Sequence, residues 1–263
     1  MIGQEKFKHY LNSWNKPPQF IILQGDMGSG RSTLINLIKV KFKYNFVICG
    51  TTVEEVREII NLAYRLSEPT FYVFYNGDKL SNSAKNALLK IVEEPPKNAY
   101  FIMRIENAIL DTLKNRAFYY DMQSYTKKEL QSYFEEQHKG ELFNTYGLIC
   151  KNIGQIKIFL TSPYETIIDY CNTIITMITK VVQGNIFNIT NKLNLGEEIE
   201  KWDTTLFLNI LEWTFLKEYL QTKNDNYFQA IYKIINLRKN LKVVGANKQH
   251  LFDNFFLDLR ETL

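Results

Sequence analysis

Three cysteines in 263 residues, Cys49, Cys150 and Cys171, are few and far apart, and no two form a CxxC pair. That spacing signals neither a disulfide framework nor a zinc site, so all three read as buried thiols. Also missing is any run near the ~20 apolar residues that a membrane-spanning helix needs. The first residues, MIGQEKFKHY, lack the apolar core of a signal peptide, and a cytoplasmic protein with no membrane partner is expected. Charge of one sign is scarce as well. A net charge of +4 and a pI near 8.7 are a mild bias toward a polyanion and prove little alone. Lysines 39, 41 and 43 interleave with Val40 and Phe42 and precede Tyr44, a pattern that fits a solvated strand or helix edge better than a nucleic-acid patch.

What is present is the composition of an ordinary folded chain. The apolar fraction is 45% and the charged fraction 23%, which excludes disorder, and the length suffices for one large domain or two to three small ones. From Gln19 to about Met122 the apolar runs FIILQG, NFVICG, FYVFY and AYFIM alternate with segments of helical composition, which predicts βαβ units on a parallel sheet. Beyond Thr126 helical spacing takes over. Leu208, Leu211, Phe215 and Tyr219 fall on one face, as do Tyr227, Ile231, Ile234 and Leu241. The stretch LFLNILEWTFL is apolar around much of its circumference and predicts a helix packed on more than one side.

The stretch QGDMGSGRST, Gln24 to Thr33, follows the first apolar run and precedes a helical pattern. Strand, glycine loop, helix is the context in which backbone amides cradle phosphates at the positive end of a helix. Gly25, Gly28 and Gly30 allow the close approach, and Ser32, with Thr33 behind it, stands where a hydroxyl meets magnesium. Arg31 occupies the position where lysine reaches the outer phosphates. A guanidinium is larger, planar and wants two acceptors, so binding of ATP or ADP with magnesium is expected to be weak or absent.

The segment A-x-N-A-L-L-K-x-x-E-E-P-P, Ala84 to Pro96, resembles a hallmark of the clamp-loader subunits of the AAA+ superfamily. The resemblance extends back through IGQE at Ile2 to Glu5, the glycine loop and VEEVREI at Val53 to Ile59. It extends forward through LDTLKNRA at Leu110 to Ala117 and IGQIKIFL at Ile153 to Leu160. It implies an α/β fold: an AAA+ phosphate-loop core with a parallel sheet over about 1–122, a helical lid at 123–162 and a helical collar at 163–263.

With Asp78, Lys79 and Leu80 aligned without gaps, the family's catalytic acid pair falls on Tyr75 and Asn76. Asp78 lies beyond the strand by about three residues, roughly 10 Å of extended chain, and is discounted as a substitute. The first sensor position falls around Ile105 and Glu106. Lys157 stands where the second sensor has arginine. By the same resemblance Arg116, in N-R-A, is the arginine that reaches into a neighbouring subunit's ATP site. A broken site with a kept finger is similar to the non-hydrolysing bacterial class, although the four-cysteine zinc module of bacterial relatives has no counterpart here, and no zinc is expected. The resemblance implies a hetero-oligomer with other clamp-loader subunits, a sliding clamp and primed double-stranded DNA as partners, with Arg57 and Lys85 on the helices that face DNA. Two other functions stay open: an ATPase-active subunit, and an AAA+ adaptor unrelated to clamps.

Overall fold

A computed structural model describes residues 2–107, 109–161, 204–241, 243 and 247–263. The chain divides into two compact units, 1–124 and 125–263.

The first unit is built on five parallel strands: β1 (Phe20–Gln24), β2 (Asn45–Ile48), β3 (Thr70–Phe74), β4 (Ala99–Ile105) and β5 (Phe118–Asp121). Their order across the sheet is β2-β3-β4-β1-β5, and every pairing is parallel. The three central strands carry almost continuous apolar runs because both of their faces are covered. Alternation then decides which helix each residue meets. Ile21, Leu23, Phe71, Val73, Tyr100 and Ile102 face one core. It is completed by Phe7 and Leu11 of α1 (Glu5–Ser13) and by Leu34, Ile35 and Ile38 of α2 (Arg31–Phe42). Phe20, Ile22, Tyr72, Phe74, Phe101 and Met103 face the other, against α3 (Val53–Arg65) and α4 (Asn82–Glu93). A short α5 (Asp111–Lys114) precedes β5.

Strand order places β1 at the point where the winding reverses, since the chain leaves β1 for the β2 edge and returns to β5 on the other side. The crevice beyond the carboxyl ends of strands at such a point is where open α/β sheets hold ligands. The glycine loop follows β1 there.

Lys39 and Lys41 lie in the last turn of α2 and engage their own chain. Lys41 Nζ donates to the Leu11 carbonyl at 2.5 Å, and Lys39 Nζ sits 4.5 Å from the Phe46 ring centroid.

The described part of the second unit is helical: α6 (Lys127–Glu136), α7 (Phe143–Tyr146), α8 (Ile153–Thr161), α9 (Thr204–Thr222), α10 (Asp225–Leu241) and α11 (Lys248–Thr262). Residues 206–211 of α9 are all buried, so this helix is enclosed on every side there, as its apolar circumference requires. Asn209, inside that run, donates through Nδ2 to the Ile149 carbonyl at 2.8 Å. Cys49 and Cys150 are buried, one in each unit, and burial pushes each thiol up to about 12. Cys171 lies outside the described residues, as does the boundary expected between lid and collar at 162–163. No helix among the described residues is long and apolar enough to cross a membrane.

Candidate functional site

The glycine loop is shaped by three close approaches. A Cβ on Gly25 would lie 2.6 Å from Met122 Cγ and 2.9 Å from Ser29 Oγ, because the Met122 amide donates to the Gln24 carbonyl and draws the two segments together. Gly28 and Gly30 have φ of 81° and 102°, a left-handed geometry that glycine adopts without steric cost. Gly30 caps α2 through its backbone alone, so the first amides of that helix receive no side-chain cap from it.

Arg31 opens α2 and turns inward. Its side chain is 5% exposed, with Nη1 donating to the Ile105 carbonyl at 2.5 Å and Nη2 paired with Glu106 Oε1 at 2.7 Å. The same Ile105 carbonyl accepts from the Gly25 amide at 3.1 Å, which ties the loop to the end of β4. Ser32 is engaged as well. Arg104 Nη1 donates to its Oγ at 2.7 Å, while Arg104 Nε donates to the Tyr75 carbonyl at 2.8 Å. The Tyr75 ring lies under that guanidinium, 5.3 Å from centroid to Cζ, a distance at which a cation and a ring face attract. Burial lowers the Arg104 pKa, with Arg31 nearby adding to the effect, and Glu106, Tyr75 and Asp78 oppose it.

Asp78 works on backbone. Its Oδ2 accepts from the Glu106 amide at 2.7 Å and its Oδ1 from the Asn107 amide at 2.9 Å. Both carboxylate oxygens therefore fix the turn after β4. The close fit extends to Gly77, where a Cβ would lie 2.5 Å from Met103 Cγ. Asn76, which ends the β3 turn beside them, is exposed.

These placements bring Gly25, Gly28, Gly30, Arg31 and Ser32 together with Arg104 and Glu106, while Thr33 faces solvent on α2. Lys157 is exposed on α8 of the second unit. Arg116, after α5, is exposed and held by its own unit: Nη2 pairs with Glu93 Oε1 at 2.6 Å and Nη1 donates to the Thr112 carbonyl at 2.8 Å. Arg57 is exposed on α3, whereas Lys85 on α4 is buried to 9% exposure. Arg104 was not among the expected site residues. Its signal is a single cation closing the apolar run AYFIM, one residue before the strand ends.

Residues 47–126, which hold β3, β4, Asp78, Arg104, Glu106 and Arg116, match the family described as DNA polymerase III, delta subunit. The delta-prime subunit of DNA polymerase III from Buchnera aphidicola of Baizongia pistaciae is 24% identical over 205 residues, covering 72% of this chain and 61% of that protein. Over these stretches the chain is similar to delta-prime subunits of DNA polymerase III. A second delta-prime subunit, from Buchnera aphidicola of Schizaphis graminum, is 39% identical over 90 residues, 34% of this chain and 25% of that protein. The matches thus span less than two thirds of the length of these relatives. The crystal structure of a DNA polymerase III gamma subunit-related protein from Thermotoga maritima shares the fold, with a TM-score of 0.50 at 16% identity and 98% coverage of both chains.

A magnesium nucleotide does not fit the glycine-loop site as arranged. Ser32 Oγ accepts from a guanidinium where magnesium would coordinate, and Arg31 is neutralised by a carboxylate where a phosphate would stand. Among the described residues no cluster of three or more His, Cys, Asp or Glu side chains is placed to hold a metal ion.

Proposed function

We propose that this chain is a non-hydrolysing subunit of a DNA-replication clamp loader, working in the cytoplasm within a hetero-oligomer that places a sliding clamp on primed double-stranded DNA. It would have an AAA+ core over 1–122, a lid at 123–162 and an oligomerising collar at 163–263. The likeness to delta-prime subunits supports the setting.

The observation that carries the non-hydrolysing part is the engagement of the phosphate loop by Arg104 and Glu106. A working site of this kind needs a carboxylate at a neighbouring strand end to organise magnesium. Here β3 is followed by Tyr75 and Asn76, and the nearby carboxylate of Asp78 is committed to two backbone amides. No hydrolytic step is assigned to this chain.

The contribution assigned to it is Arg116, acting on a neighbour's nucleotide. A guanidinium supplied in trans neutralises charge developing on the transferred phosphoryl group, an effect of about three to five powers of ten in rate. Glu93 and Thr112 hold Arg116 at the surface, where a partly exposed ion pair contributes little and is readily exchanged. The loop residues Gly25 to Thr33 would keep the form of a nucleotide loop without its use, and Lys157 is assigned to the second sensor by the resemblance alone. Arg57 would meet the DNA backbone. Lys85 would join it only if its helix repacked on assembly.

The test is a loader complex reconstituted with its native partner subunits. The isolated chain is expected to show no ATP turnover above background. Arg116→Ala is expected to leave assembly intact and to lower DNA-stimulated ATPase at one interface, with Arg116→Lys restoring only part because a point charge lacks the planar fork. Normal clamp loading by the Arg116→Ala complex removes the trans role, and turnover by the unaltered chain removes the non-hydrolysing one.

A further inference from the structure

The side chains that meet at the end of β4 form a set. A phosphate loop that uses nucleotide has a cation aimed at the outer phosphates, a hydroxyl on magnesium and a carboxylate at a strand end that holds the metal. The places of the phosphate and of the metal are both filled here by protein, and each of these two fillers has the sign of charge of the group it displaces. Glu106 brings a carboxylate to Arg31 at 2.7 Å, an anion where a phosphate would stand. Arg104 brings a guanidinium to Ser32 Oγ at 2.7 Å, a cation where the metal would stand. At the end of β3, where a carboxylate would hold the metal, Tyr75 offers a carbonyl and a ring face, both suited to an arginine.

We infer that Glu106 and Arg104 are a built-in substitute for a metal-bound phosphate, which holds the phosphate loop folded and keeps nucleotide out by occupying its place. This rests on the non-hydrolysing reading and gives it a cause: exclusion arises from an internal ligand, and the loop retains the capacity to take an anion.

Two features make the substitute stable in position. The Glu106 amide and that of the next residue are both held by Asp78, so the carboxylate is presented by a fixed turn. Arg31 is 5% exposed, so its charge needs a partner, and moving Glu106 aside would leave a buried cation uncompensated. A polyphosphate arriving from solvent would meet Glu106 first, and like charges repel. The side-chain charges also balance: Arg31 and Arg104 face Glu106 and Asp78, two of each sign.

The substitute is tested by taking it away. In full-length protein the probe is sodium pyrophosphate, with and without magnesium, read as the thermal unfolding midpoint against sodium chloride of equal ionic strength. The unaltered chain is expected to give no shift beyond the salt control. Glu106→Gln, which keeps the size of the side chain and removes its charge, is expected to unfold about 3 °C lower and to recover with pyrophosphate in a saturable way. Adding Arg31→Ala to Glu106→Gln is expected to abolish the recovery. Arg104→Gln combined with Glu106→Gln is expected to make the recovery larger when magnesium is present.

A pyrophosphate shift in the unaltered chain equal to that of Glu106→Gln overturns the inference, because the place was then open. So does a folded Glu106→Gln protein that ignores pyrophosphate, or one whose response survives loss of Arg31. Heteronuclear amide spectra establish folding of each variant, with Glu106→Asp as a second variant that shortens the carboxylate and keeps its charge. ATP turnover is followed in the same samples. Binding without turnover by the unaltered chain overturns the substitute and leaves the non-hydrolysing reading standing, whereas turnover overturns that reading.

Discussion

Gln4 has φ 60° and ψ 34°, a left-handed geometry uncommon outside glycine, asparagine and aspartate. Its amide explains why the strain is tolerated. Nε2 donates to the Gln123 carbonyl at 2.7 Å, and Oε1 accepts from the Gln123 amide at 3.0 Å and from the Tyr120 hydroxyl at 3.1 Å. One side chain thereby pins the start of α1 to the segment after β5, and it is 3% exposed while doing so. Gln4→Ala strands those partners and keeps the strained backbone, so a loss of about 2 kcal/mol is expected in urea unfolding. Gln4→Gly is expected to lose less, because glycine accepts the geometry. Equal losses for the two would mean that the backbone is not strained.

At the scale of elements, the turns after β3 and β4 are built as one piece. Asp78, in the turn after β3, accepts from both amides that follow β4, so the two strand ends cannot separate without breaking charge-assisted bonds. Water reaches these amides once the carboxylate is gone, since Glu106 is exposed, and the cost of Asp78→Ala is set at about 1 kcal/mol. The sharper readout is local. Amide exchange at Glu106 and Asn107 should accelerate in Asp78→Ala with core strands unchanged, and unaltered exchange there would show that the carboxylate does not hold the turn. The strands themselves were plain from their runs. FIILQ, TFYVF and AYFIM are buried on both faces and need no partner information to be recognised as central parallel strands. What Asp78 does was not plain. Its spacing told only that it lay beyond the strand, and the amides it meets are 28 and 29 residues away.

For the whole molecule, each unit hides a thiol. Cys49 and Cys150 are held neutral by burial, with pKa near 12 against an ordinary 9.0, so the unfolded chain ionises first as pH rises. Stability is then fully present below pH 9 and is lost as pH climbs toward 12, at up to about 1.4 kcal/mol per pH unit for each thiol. Burial also raises Tyr44, Tyr72, Tyr119, Tyr120 and Tyr133 from 10.0, and their share is centred a unit higher. Between pH 9 and 10 each cysteine contributes more to the slope than any one tyrosine. Urea unfolding of Cys49→Ala/Cys150→Ala protein should be flatter with pH across that interval, with Cys171 retained in both proteins, and an unchanged slope would place the lability elsewhere.

The sequence by itself determined whatever depends on neighbours along the chain. Apolar runs of the right length became buried strands, the alternation within them assigned residues to two cores, and three glycines fixed a loop between β1 and α2. It also carried the clamp-loader resemblance, which expects acids where Tyr75 and Asn76 stand. Tertiary structure alone decided where the long charged side chains went. Arg31 spans to Ile105 and Glu106, and Arg104 spans to Ser32 and Tyr75, separations of 74, 75, 72 and 29 residues that no local pattern encodes. The reason is the strand order: β4 pairs with both β1 and β3, so the end of β4 arrives beside the loop after one and the turn after the other. A guanidinium on a flexible stem takes whichever acceptors the sheet delivers, and those acceptors exist only once the sheet has formed.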